Sequence, residues 1–165
     1  MAATLTTARM ANTVRTAALS VLVLFTAVCA IAAGLIHQEL IADYMAMNVV
    51  SGWAFWAMTA GCYASAAVVG GATLLLWRNR AYRKTALVSL AAVGAFMSMM
   101  IGLYFYVHAP IFAAGWLPFE IQHEPLEEAG TAAVISEAMT IIGILAIALI
   151  SSIRPKTVGV YSAPS

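Results

Sequence analysis

The chain has 165 residues, of which 63% are apolar and only 9% are charged, with a formal net charge of +1. A soluble domain of this size carries far more charge, so the composition excludes an ordinary water-soluble protein and indicates a single membrane domain. The sequence has no basic patch interleaved with aromatic residues, which argues against nucleic acid as a partner.

Four apolar stretches are each long enough to cross a bilayer with a hydrocarbon core of ~30 Å. The predicted spans are residues 16–36, 49–77, 85–107 and 126–152. The sequence therefore predicts an all-α bundle of four transmembrane helices in one domain, residues 1–165, with a flexible tail at 153–165. The basic start and an A-x-A pattern at residues 30–32 also fit a signal peptide, so processing of the first helix is left open.

The connections between these spans differ in character. Residues 37–43 are expected to end the first span in a short outer connection, and residues 78–84 form a short basic turn. The connection at 108–125 is long and contains large apolar side chains. We expect it to lie on the membrane surface or to fold back into a cavity as an amphipathic outer segment between helices 3 and 4. Pro125 is expected to open the fourth helix.

The charged residues separate by sign along the predicted topology. All eight basic residues fall on the side of the N-terminus, and the positive-inside rule makes that side cytoplasmic, with both termini there. We therefore expect an integral protein of the plasma (inner) membrane whose acidic face is non-cytoplasmic. That face, with the outer part of the fourth helix, is predicted to carry His37, Glu39, Asp43, His108, Glu120, His123, Glu124, Glu127, Glu128 and Glu137.

The histidines on this face are candidate metal ligands. Imidazole suits Zn, Cu and Fe, and we expect His37, His108, His123 and Glu120 to be the ligands if the protein holds such an ion. Glu120 and His123 have the Glu-x-x-His spacing of carboxylate-bridged di-iron bundles, although a second copy of that pattern is absent. A b-type haem between His37 and His108 is a further alternative, less favoured because both are expected at helix ends where water reaches.

Glu137 is the strongest single candidate for a functional residue, because it is expected to lie roughly 10 Å inside an apolar span. A lone carboxylate at that depth is costly and suggests a proton relay, an ion site or a partner for a histidine. The simpler alternative is a protonated side chain that hydrogen-bonds between helices. For Glu124, Glu127 and Glu128 the simpler alternative is that they complement a helix N-terminus and face water.

The sulfur-containing side chains fit packing roles. Cys29 and Cys62 are expected at different depths in different apolar runs, so we interpret them as small packing residues and not as a disulfide. Met97, Met100 and Tyr104 share one face of the third helix and lead towards the histidine at its end. This stripe could line a copper or quinone path, although interhelical packing is the commoner role of such a stripe.

The sequence has no complete motif of the familiar soluble enzymes, and whether the protein is an enzyme stays open. The first hypothesis is a small subunit of a larger redox or energy-transducing membrane complex, in contact with lipid and with other subunits or further copies of itself. The second is a protein with its own metal (Cu, Zn or Fe) or haem site at the outer face. The third is a small proton-coupled transporter that uses Glu137.

Overall fold

A computed structural model describes residues 2–78, 80–108 and 128–153, and the regular structure in these ranges is helical. The elements are α1 (Ala2–Met47), α2 (Val49–Arg78), a one-turn 3-10 helix (Arg80–Tyr82), α3 (Arg83–His108) and α4 (Glu128–Ser152). All four α-helices are long and apolar enough to cross a membrane, which implies contact with lipid. The predicted class, an all-helical membrane bundle with four spans, is confirmed.

The first helix is longer than the predicted span. Residues 37–43, expected to form an outer connection, are helical, and α1 ends at Met47. The prediction failed because polarity alone does not stop a helix, and this segment contains neither glycine nor proline. The break comes at Asn48, whose side-chain Oδ1 accepts a hydrogen bond of 2.9 Å from the backbone N–H of Val50 and so caps the start of α2.

The four helices form a ring in which each one packs against two neighbours. α1 packs on α2 and α4, and α3 packs on the same two helices from the opposite side. Large apolar side chains such as Leu24 and Leu145 point outwards and are 68% and 63% exposed. Large apolar side chains on the surface that surrounds the bundle are the arrangement expected of helices in contact with lipid.

Small residues let the helices approach closely. Where α1 crosses α4, Gly143 lies so close to the side chain of Thr26 that a Cβ would not fit. Where α1 crosses α2, a Cβ on Gly34 would lie 2.8 Å from Cε1 of Tyr63. Such small-residue contacts are a general means of joining membrane helices, because lipid removes the hydrophobic drive between them.

Basic side chains hold the end of α4. Arg15 of α1 donates from Nη2 to the backbone oxygen of Ile150 at 3.0 Å and of Ser151 at 3.4 Å, and Arg83 donates to the hydroxyl of Ser152 at 3.3 Å. Cations near the last carbonyls of a helix satisfy otherwise unpaired acceptors and complement the helix dipole. The expected amphipathic segment and the tail from residue 154 onwards lie outside the described residues, and the predicted orientation stays a prediction.

Candidate functional site

A histidine and a carboxylate meet inside the bundle. His37 Nε2 on α1 lies 2.9 Å from Glu137 Oε1 on α4, and the two side chains are 10% and 2% exposed. Glu137 comes nine residues after the start of α4 at Glu128, or ~14 Å along the helix. The structure thus supports one of the roles considered for Glu137, partner to a histidine. The expectation that water reaches His37 at a helix end is wrong, because α1 continues past it.

Cys62 of α2 lies beside this pair. Its thiol is free and fully buried, and one ligand-type atom from each of His37, Cys62 and Glu137 lies within 4.8 Å of the others. Cys62 does pack in the apolar core, as its interpretation from sequence says. That interpretation missed its second property, namely that its sulfur lies next to an imidazole and a carboxylate.

The close approach of α1 and α2 explains how Cys62 comes near His37. Gly34 lies one turn before His37, and a Cβ there would lie only 3.2 Å from Cβ of Cys62. The absence of a side chain on Gly34 therefore lets α2 sit against α1 at this level. One residue further on, the Tyr63 hydroxyl donates to Oε1 of Gln38 at 2.7 Å and fixes the same crossing.

Two buried polar atoms in this part of the bundle have no hydrogen-bond partner within the described structure. They are Nδ1 of His37 and Oγ1 of Thr59. Thr59 shares a face of α2 with Cys62 and with Phe55, whose ring lies edge-on to His37 at a centroid distance of 5.8 Å. A buried unpaired polar atom costs about 1–3 kcal/mol, so these two atoms are candidates for contact with a bound water or ion.

Other predicted site residues do not join this cluster in the part of the chain that the structure describes. Glu39 and Asp43 are exposed on α1, and Glu128 is exposed at the start of α4. Outside the described residues lie Glu120, His123, Glu124, Glu127 and the side chain of His108. Their part in a metal site, and a haem between His37 and His108, stay predictions.

The cluster of His37, Cys62 and Glu137 has the donor types of a transition-metal site. Imidazole nitrogen, thiolate sulfur and carboxylate oxygen are the ligands of zinc in proteins, and the first two also suit copper and iron. Donor atoms around a tetrahedral ion lie roughly 3.3–3.8 Å apart, so a shared ion would open the 2.9 Å contact by less than 1 Å. Comparison with protein-family models, curated proteins and solved structures finds no match for this chain.

Proposed function

We propose that this protein holds one transition-metal ion inside the membrane at His37, Cys62 and Glu137, as a metal-carrying subunit of a redox or energy-transducing complex. One observation carries the proposal: three buried donor atoms of different chemistry, from three helices, lie within 4.8 Å of one another. Packing alone gives no reason for this grouping, since apolar side chains of similar volume stabilise a buried position at least as well.

The charges of the cluster suit a divalent ion. When a metal binds, the Cys62 thiol and the Glu137 carboxyl each lose a proton and carry one negative charge, whereas His37 binds as neutral imidazole. A divalent ion then makes the group neutral as a whole. Neutrality matters at this depth because an uncompensated charge in the bilayer core costs at least ~2.5–3.5 kcal/mol.

His37 is already oriented for this role. Its Nε2 contacts the Glu137 carboxyl at 2.9 Å, and its Nδ1 is buried without a partner in the described structure. An ion bound between Nε2 and the Glu137 oxygen takes the place of the proton that the two atoms share, and Nδ1 then carries the ring N–H, which in metal-binding histidines commonly donates to a carboxylate, a backbone carbonyl or a water. In this arrangement Glu137 binds the ion directly and balances part of its charge, and Cys62 supplies the sulfur.

Metal analysis of the purified protein tests the proposal. The protein, extracted in mild detergent and equilibrated with Zn, Cu or Fe salts, should retain about one ion per chain after dialysis. His37→Ala and Cys62→Ala should each lose that ion. The matched control is Cys29→Ala, because Cys29 is also a free thiol in an apolar helix but lies outside the cluster. Retention of metal by Cys62→Ala to the same level as Cys29→Ala would contradict the proposal.

The same 2.9 Å contact favours a second candidate, a small proton-coupled transporter that uses Glu137. Proton uptake by reconstituted vesicles, followed with a pH-sensitive dye, would then require His37 and Glu137 but not Cys62. Glu137→Gln should fold normally and abolish uptake. The two candidates differ at Cys62, because a metal site loses its ion when the Cys62 sulfur is removed, whereas proton uptake does not depend on that sulfur.

Membership in a complex and the orientation need separate tests. On native gels of gently solubilised membranes, the chain should migrate with other subunits, and a lone monodisperse species would contradict a complex.

The eight basic residues predict that both termini are cytoplasmic. A C-terminal green fluorescent protein should therefore fluoresce, and a C-terminal alkaline phosphatase should be inactive. The reverse result would invert the topology.

A further inference from the structure

α3 is the one helix of the four that contributes no donor atom to the cluster of His37, Cys62 and Glu137 as described so far. The other three each supply one, from α1, α2 and α4 in turn. Since α3 completes the ring by packing on α2 and α4, its inward face borders the same interior. The side chains that α3 presents at the level of the cluster therefore decide what else could reach an ion there.

Two contacts fix the register between α3 and α4. The hydroxyls of Tyr104 and Thr131 lie 3.4 Å apart, and Arg83 donates to Ser152 at 3.3 Å. The two contacts are separated by 21 residues on each helix, so the helices run antiparallel in constant register. Glu137 comes six residues after Thr131 and is thus level with the α3 residue six positions before Tyr104, at position 98.

At this level two methionines of α3 point into the bundle. Met97 is 0% exposed and Met100 is 4% exposed, whereas Met99 is 60% exposed on the side of α3 that faces away from the bundle. Met97 belongs to the same buried core as Cys62. The packing of α2 on α3 gives the same level, because Gly61, next to Cys62, lies against the ring of Phe96, next to Met97. Two thioether sulfurs are therefore placed at the level of the cluster on its α3 side.

We propose that Met97 and Met100 complete the site and that the ion it holds is copper; this inference rests on the proposed metal-binding function. Zinc in proteins takes Cys, His, Asp and Glu ligands, whereas thioether ligation is characteristic of copper. Histidine, cysteine and methionine together form the ligand combination of copper electron-transfer sites. Thioethers are neutral, so they add donor atoms in the membrane interior without adding charge. With Cu⁺ on the Cys62 thiolate the group is neutral when Glu137 keeps its proton.

Packing alone would also bury methionines, because a flexible thioether fills irregular gaps. Leucine separates the two explanations, since exchange of methionine for leucine nearly conserves volume and usually costs less than about 1.5 kcal/mol. A packing role predicts little change in metal binding when both methionines become leucine. A ligand role predicts a loss that is specific to the metal.

The experiment titrates the full-length protein in detergent with Cu⁺ under reducing conditions, in competition with a chromogenic chelator, and with Zn²⁺ in parallel. Met97→Leu/Met100→Leu should lower the copper affinity by roughly tenfold or more and leave the zinc affinity within about twofold, since losses of 10–100-fold accompany removal of even outer-shell partners. Met99→Leu is the matched control and should bind copper as the unaltered protein does. Circular dichroism should show equal helix content in all three.

Two results would overturn the inference. If the double leucine variant binds copper like the Met99→Leu control, α3 supplies no ligand. If it loses copper and zinc affinity equally, the substitutions distort the cluster in general and the copper assignment fails. In both cases the proposed metal site still stands provided that His37→Ala and Cys62→Ala lose their ion. Absence of any bound ion in the unaltered protein would instead remove the proposed function itself.

Discussion

Replacing His37 and Glu137 by leucine, singly and together, measures how strongly α1 and α4 are joined at the site. Each single variant leaves one buried polar side chain without the partner that it has at 2.9 Å. An unsatisfied buried group costs about 1–3 kcal/mol, so each single variant should lose that much unfolding free energy. The double variant leaves neither group behind, and its loss should be smaller than the sum of the two single losses.

The size of the coupling between His37 and Glu137 indicates their charge state. Neutral interhelical hydrogen bonds in a membrane protein average about 0.6 kcal/mol and reach about 1.7 kcal/mol. Removal of one partner of a buried ion pair costs about 3–5 kcal/mol, because it leaves an uncompensated charge. The side chains are 10% and 2% exposed, so water screens the contact little. We expect single losses near 1 kcal/mol and a coupling of about 2 kcal/mol in the metal-free protein, so that the double variant loses almost nothing, since two full charges at this depth are costly.

The assay is reversible unfolding in mixed micelles with increasing sodium dodecyl sulfate, followed by circular dichroism. A second double-mutant cycle on Gln38 and Tyr63 is the control. That pair also joins two helices, at 2.7 Å, but it is exposed, so its coupling should be clearly smaller. Losses for His37→Leu and Glu137→Leu that simply add in the double variant would refute the contact, because additivity means that the two side chains do not interact.

Two further predictions concern helix packing and the end of α4. Gly143→Ala should lower the unfolding free energy by about 1–3 kcal/mol, because the new Cβ would collide with Thr26 and push α1 from α4. Gly94→Ala, where an added Cβ meets nothing within 4 Å, should be neutral or slightly stabilising, and equal losses for the two variants would contradict the close contact. Arg15→Gln should cost about 1 kcal/mol and speed amide hydrogen exchange in the last turn of α4, because two carbonyl oxygens lose a charged donor. Unchanged exchange there would contradict the capping role.

The four helices could be predicted because the bilayer sets the length of an apolar span, and each run meets that length. The end of α1 could not be predicted from polarity. Polar residues cluster at 37–43, yet they are compatible with a helix, and the stop depends on the cap at Asn48. The last turns of α1 can therefore be polar and still continue the helix.

Because the predicted first span ends too early, the sequence pattern does not place His37, Cys62 and Glu137 together. Glu137 was identifiable because a carboxylate in an apolar run is costly wherever it points. With α1 extended to Met47, His37 lies ten residues before its end, Cys62 lies thirteen after the start of α2, and Glu137 lies nine after the start of α4. These similar depths put all three in one layer of an antiparallel bundle. With α1 ended at Ile36, His37 would lie at the membrane surface. A thiol within an apolar run also looks like a packing residue until its neighbours are known.

Stability alone does not account for a histidine and a carboxylate in this layer. Replacement of a buried polar pair by apolar residues of similar volume is often neutral or stabilising, so the double leucine variant should unfold at least as reluctantly as the unaltered chain. The same helices already make close contacts through Gly34 and Gly143, which join α1 to α2 and to α4 without the His37–Glu137 pair. Stability therefore gives no reason for the presence of His37 and Glu137, whereas the proposed metal site does.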